Sequence, residues 1–106
     1  MEKRLADWEI AYNDKTPAEI LIELSKHENE VVRWCVAKNP STPAISLSEL
    51  SHDVEARVRC KVANNPNTPL EALVVLLTDE NEAIQEAAMN NPNCPLELKV
   101  EYILSN

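Results

Sequence analysis

A strict internal period constrains this chain more than any other feature of it. Prolines stand at 17, 43, 69 and 95, each 26 residues from the last. Three are preceded by threonine (Thr16, Thr42, Thr68) and the fourth by Cys94, and Asn-Pro follows the same beat at Asn39-Pro40, Asn65-Pro66 and Asn91-Pro92. Residues 16–41 and 42–67 agree at 13 of 26 positions without a gap, and residues 68–93 keep the punctuation and both leucine columns. A period of this length means stacked supersecondary units, none of which can bury its apolar face alone. Residues 1–15 align with the second half of a unit, placing Trp8 on Trp34 and Ala11 on Ala37. Residues 94–106 align with the first half, so the expected organisation is three full repeats, 16–41, 42–67 and 68–93, between half-repeat caps at 1–15 and 94–106.

Each unit reads as two helices, of about 9 and about 11 residues, too short to persist alone where isolated helices need ~12–15. In the first, Thr16 is expected as N-cap, Pro17 as first helical residue and Glu19 as the far side of a capping box, a device repeated at Thr68-Pro69-Leu70-Glu71. Ile20, Leu21 and Leu24 share its apolar face; the leucine columns are Leu21, Leu47, Leu73 and Leu24, Leu50, Leu76. The second helix is expected to start near His27, Asp53 and Asp79, with Asp79 to Glu82 as a further capping box, and to bury Val32 and Val36, Val58 and Val62, Ile84 and Ala88. It must stop before Asn-Pro, because the residue before proline is driven from helical geometry. Asn64 and Asn90 are candidates for the left-handed C-cap in a chain without glycine.

The pattern NPxTPxxxLxxL, a polar turn, then xVRxxVAxNP resembles the leucine-rich repeat variant family. The residues carrying it are Leu21, Leu24, Val32, Arg33, Val36, Ala37, Asn39 and Pro40, then Leu47, Leu50, Val58, Arg59, Val62, Ala63, Asn65 and Pro66. It weakens where Gln85, Ala88 and Met89 replace Arg, Val and Ala. The resemblance implies an all-α fold, a right-handed α-α superhelix (solenoid) of two-helix repeats in which one layer is 3₁₀-helical. Two full α-helices per repeat, closer to a HEAT-type array, are the alternative. The cysteine cluster that holds iron and sulfur in some family members has no counterpart here, and the family has no single activity to transfer.

Composition narrows the chemistry. Without glycine there is no phosphate-cradling loop, nucleophile elbow or dinucleotide fingerprint. Cys35, Cys60 and Cys94 fall in three different columns, and His27 and His52 are out of register, so no metal or cofactor is expected. Cys94, before a helix, is a candidate reactive thiol, opposed by Glu97. Paired carboxylates such as Glu28 and Glu30 are two apart and diverge on a helix, so the chain is not expected to be an enzyme.

The candidate binding residues are Trp8 and Trp34, which share a column, and Arg33 and Arg59, which share another. Stacked tryptophans would anchor a protein or peptide partner; the alternative is that each packs over a neighbouring repeat. The arginines, with Arg57 and Lys61 four apart on the second unit's helix, read as a small basic stripe for phosphates or an acidic peptide, or, better, as a solvated, salt-bridged face. Nucleic acid is disfavoured by a net charge of −8 and by residues 62–106, which hold 7 acids and one base. Leu70 to Leu77 is apolar nearly all round, either covered by Tyr102 and Ile103 or an exposed docking patch. The charged N-terminus and lack of a long apolar run point to a cytoplasmic protein off the membrane, and Asp7, Glu9 and Asp14 to a monomer. The expectation is a non-enzymatic module binding an unidentified protein or peptide through one curved face; the alternatives are an accessory structural module and a HEAT-like nucleic-acid binder.

Overall fold

The computed structural model describes residues 4–105, and so residues 1–3 and 106 of the two expected half-units lie outside it. The described residues form eight α-helices and no strand: α1 Asp7–Tyr12, α2 Ala18–Leu24, α3 Glu30–Lys38, α4 Ala44–Leu50, α5 Ala56–Asn64, α6 Leu70–Leu77, α7 Glu82–Met89 and α8 Leu96–Ser105. Helices α2, α4, α6 and α8 begin 26 residues apart, as do α3, α5 and α7. Each repeat is therefore a pair of helices, and the pairs stack into a rod of 59 × 21 × 16 Å. The odd-numbered helices pack on one another in sequence, α1 on α3 on α5 on α7. Both layers are α-helical among the described residues, which decides against a 3₁₀ layer. The core runs between the layers: Leu21, Leu47 and Leu73 from one side, Val36, Val58, Val62 and Ile84 from the other, all fully buried. In the leucine column the next residue is Lys99, which is only half-buried.

The helices are shorter than expected, 7 to 9 residues in the full repeats. Proline, at 17, 43 and 69, is the N-cap itself rather than the first helical residue. The expected threonine caps do not form. The Thr16, Thr42 and Thr68 hydroxyls instead turn back and donate to the carbonyls of Ile10, Val36 and Val62, at 2.6, 2.7 and 2.6 Å. Those carbonyls lie in the last turn of the preceding helix, where acceptors lack helical partners. At the other end Ser25, Ser51 and Thr78 donate to carbonyls three residues back, closing the last turn. The second helices start three residues beyond the expected His27, Asp53 and Asp79. There Asn29 and Asn81 accept from the N–H groups of Val31 and Ala83 as true N-caps.

No described residue has positive φ, so Asn64 and Asn90 are not left-handed caps. The asparagines that matter are their neighbours. Asn39, Asn65 and Asn91 are buried, and each amide reaches back one repeat. Asn39 Nδ2 donates to Ala11 O and Asn13 O, Asn65 Nδ2 to Ala37 O and Asn39 O, and Asn91 Nδ2 to Ala63 O and Asn65 O, all at 2.8–3.0 Å. The Oδ1 of each accepts the N–H two residues on, at Ser41, Asn67 and Asn93. One side chain thus bonds two carbonyls of the previous repeat, the second of which also accepts a threonine N–H, and shapes its own Asn-Pro turn. Leaving a buried polar group unpaired costs about 1–3 kcal/mol, so Asn65→Ala should destabilise the chain by about 3 kcal/mol. Urea denaturation followed by helical circular dichroism measures it; a loss no larger than that of the exposed Asn67→Ala would remove the ladder from the energetics.

Candidate interaction face

The second-helix layer positions all four candidate residues, and it separates them into two groups. Arg33 and Arg59 point along the stack. Arg33 Nε and its second terminal nitrogen donate to the two oxygens of Asp53, at 2.7 and 3.2 Å, while the other terminal nitrogen donates to His27 O and Glu28 O. Arg59 repeats this on Asp79, at 2.8 and 3.3 Å, and on Asp53 O. The side chains of Arg33, Asp53, Arg59 and Asp79 are 14%, 7%, 12% and 6% exposed, so this is an internal ladder and not the solvated face expected of it. The series begins with the residue types exchanged, His27 Nε2 lying 3.0 Å from Asp7 Oδ2, and ends on a glutamine. There Gln85 donates to Asp79 O and accepts from Tyr102. Both guanidinium groups are committed within the chain.

Asp53 and Asp79 also accept from the N–H two residues on, which bends the turn before each second helix. Burial opposes the charge of Asp79. The Arg59 hydrogen bond, the Asn81 N–H and the guanidinium charge outweigh it and hold the carboxyl below its ordinary range. A group depressed in this way stabilises the fold above its unfolded value, near 3.8, and loses that contribution as the pH falls through the folded one. Between about pH 5 and about pH 2 the wild type should therefore lose stability more steeply than Asp79→Asn, which should itself be weaker at neutral pH. Urea midpoints across that range test it, and parallel slopes would refute it.

Trp8 and Trp34 face outward from the same layer. Trp8 is 50% exposed and Tyr12, one turn on, is 54% exposed; together with Glu9 and Asn13 they line an open cleft. Trp34 is half-buried against the core. Its ring has Lys38 Nζ at 5.4 Å and Lys61 Nζ at 5.2 Å, and Lys38 also sits 5.0 Å from the Tyr12 centroid. Cations and aromatic rings thus alternate across three repeats as Tyr12, Lys38, Trp34 and Lys61. Beside Trp34 a cleft of ≈ 230 Å³ is walled by Val31 and Val58 and rimmed by Glu30 and Arg57, which pair with each other. Farther along the layer the equivalent positions turn polar, with Glu86 and Asn90 exposed. Tyr12 and Lys38 were not among the residues singled out from the sequence. The signal was present in Tyr12 four residues after Trp8, and in Lys38 in the column of Tyr12.

The other expected features resolve simply. Burial pushes the thiols of Cys35 and Cys94 up, partly countered by Lys38 and Lys99, so Cys94 is a buried thiol and not an activated one. In α6 Ala72, Leu73 and Leu76 are buried and Leu70 and Val74 exposed, so the run is covered in part, and Ile103 of α8, expected over it, is itself exposed. Between them Val74, Leu77, Leu98, Tyr102 and Leu104 line an open cleft. Among the described residues no three His, Cys, Asp or Glu converge as a metal would require, and no helix is long and apolar enough to cross a membrane.

Residues 56–81 match the protein-family model described as leucine rich repeat variant. No curated protein and no solved structure matches the chain. The matched span opens with α5 and closes on Asn81, the cap of α7, so it is one period of the pattern in another frame. One repeat of the chain thus matches the leucine rich repeat variant model, and the same pattern stands on either side of it.

Proposed function

We propose that this chain is a non-enzymatic helical-repeat module that binds a protein or peptide through the outer face of its second-helix layer, as a cytoplasmic monomer. The observation that carries the reading is the pair of large aromatic side chains at its N-terminal end. Trp8 and Tyr12 are each about half exposed, on a layer whose interior positions are filled by fully buried valine and alanine. Exposed aromatic anchors beside a half-buried tryptophan are the composition of an interface centre. The buried ionisable side chains serve the repeat-to-repeat ladder, which supports a binding surface over a reaction centre. A purely structural role is the competing reading, favoured by the packing of Trp34 on the core and by the commitment of Arg33 and Arg59 to internal pairs.

The test is affinity capture from a lysate with wild type and a Trp8→Ala, Tyr12→Ala double variant. Both sites are exposed, so the variant should retain its helical circular dichroism. The expected result is a protein partner that survives nuclease treatment and binds the variant at least about tenfold more weakly, a loss of ~1.4 kcal/mol. Equal retention by both baits would favour the structural reading. Loss of the partner after nuclease would favour nucleic acid.

A further inference from the structure

In a chain with 18 carboxylates three arginines find acidic partners: Arg33 on Asp53, Arg57 on Glu30, Arg59 on Asp79. Among the described residues no lysine has such a partner, and Lys38 and Lys61 are the two that lie over aromatic rings. Moreover, both ammonium groups lie within 5.4 Å of the same Trp34 centroid, which brings two like charges together on one ring. A carboxylate set against either ammonium group would be attracted to it, and the two lie on one short row. Beside it the Val31, Trp34 and Val58 cleft, ≈ 230 Å³, is wide enough for one apolar side chain.

Resting on the reading of this face as a protein-binding surface, we infer that the Tyr12, Lys38, Trp34, Lys61 row is a docking site for an acidic peptide segment. One or two carboxylates of the segment lie against Lys38 and Lys61, and an adjacent apolar side chain enters the cleft beside Trp34. Charge complementarity favours such a peptide, since two ammonium groups are held on one row of an otherwise acidic molecule. A nucleic-acid strand fits less well. It brings a phosphate with every nucleotide to a protein of net charge −8, and its bases need open ring faces, whereas the rings of Trp34 and Tyr12 already carry ammonium groups.

The experiment is selection from a random peptide library displayed on phage against the immobilised full chain, with three baits: wild type, Lys38→Gln with Lys61→Gln, and Trp8→Ala. The expected result is enrichment of peptides holding at least two carboxylates next to an apolar residue. These should bind the lysine double variant at least about tenfold more weakly and lose affinity as salt rises. Circular dichroism of each bait excludes loss of fold as the cause. Neutral or basic peptides that depend on Trp8 but not on the lysines would overturn the acidic partner while leaving the binding face intact. Peptides indifferent to all three substitutions, or none enriched, would overturn both. A thymidine oligonucleotide that binds more tightly than the selected peptides and displaces them would overturn the peptide class.

Discussion

The architecture depends on the buried amide of one asparagine per repeat. A helix of seven to nine residues leaves most of its terminal carbonyls without partners, and stacking such helices would bury those acceptors at every junction. Asn39, Asn65 and Asn91 remove the difficulty by donating two hydrogen bonds each to the previous repeat and accepting one from their own turn. Valine and leucine then pack where the amides have set the spacing. Asparagine suits this place because its amide both donates and accepts, whereas a carboxylate would face the carbonyls with charge of the wrong sign.

Three ladders therefore run the length of the rod: asparagine amides at one edge, apolar columns in the middle, and arginine–aspartate pairs at the other edge. The threonine hydroxyls add a fourth link, from the start of each first helix to the end of the preceding second helix. Each ladder joins nearest neighbours only, as expected of a quasi-one-dimensional protein. Where a ladder reaches its end the residue type changes. Cys94 stands where threonine would be, Lys99 where leucine is buried, Gln85 where arginine pairs, and Asp7 with His27 exchanges the residue types of the first pair. The face left over, outward on the second-helix layer, is free of these duties, and there the aromatic and lysine side chains gather.

Much of the fold was legible in the residues because the period repeats each signal. Proline spacing, the leucine columns and the Val32/Val36 type pairs located every helix of the full repeats and the main apolar columns of the core. The errors were local. Thr16 reads as an N-cap and Arg33 as a surface charge when only neighbours in sequence are considered, but the actual partners lie in an adjacent helix or repeat, Ile10 O and Asp53. Asn64, read as a left-handed C-cap, instead bonds Cys60 O in its own helix. The Asn-Pro asparagines were read only as helix stops, although their recurrence at 39, 65 and 91 held the information that the position does more than end a helix.

From the sequence alone come the period, the two-helix unit, the identity of the apolar columns and the resemblance that the family match upholds. These depend on local propensity and on spacing along the chain, which a single sequence displays in full. Tertiary structure decided that both layers are α-helical and which polar side chains bridge repeats. It also decided which of the aromatic and basic residues remain on the surface. A column position names a residue's equivalents in other repeats, but its partner is set by the offset between stacked units. That offset, 20 residues for Arg33 to Asp53 and 28 for Asn39 to Ala11, appears only once the helices have packed.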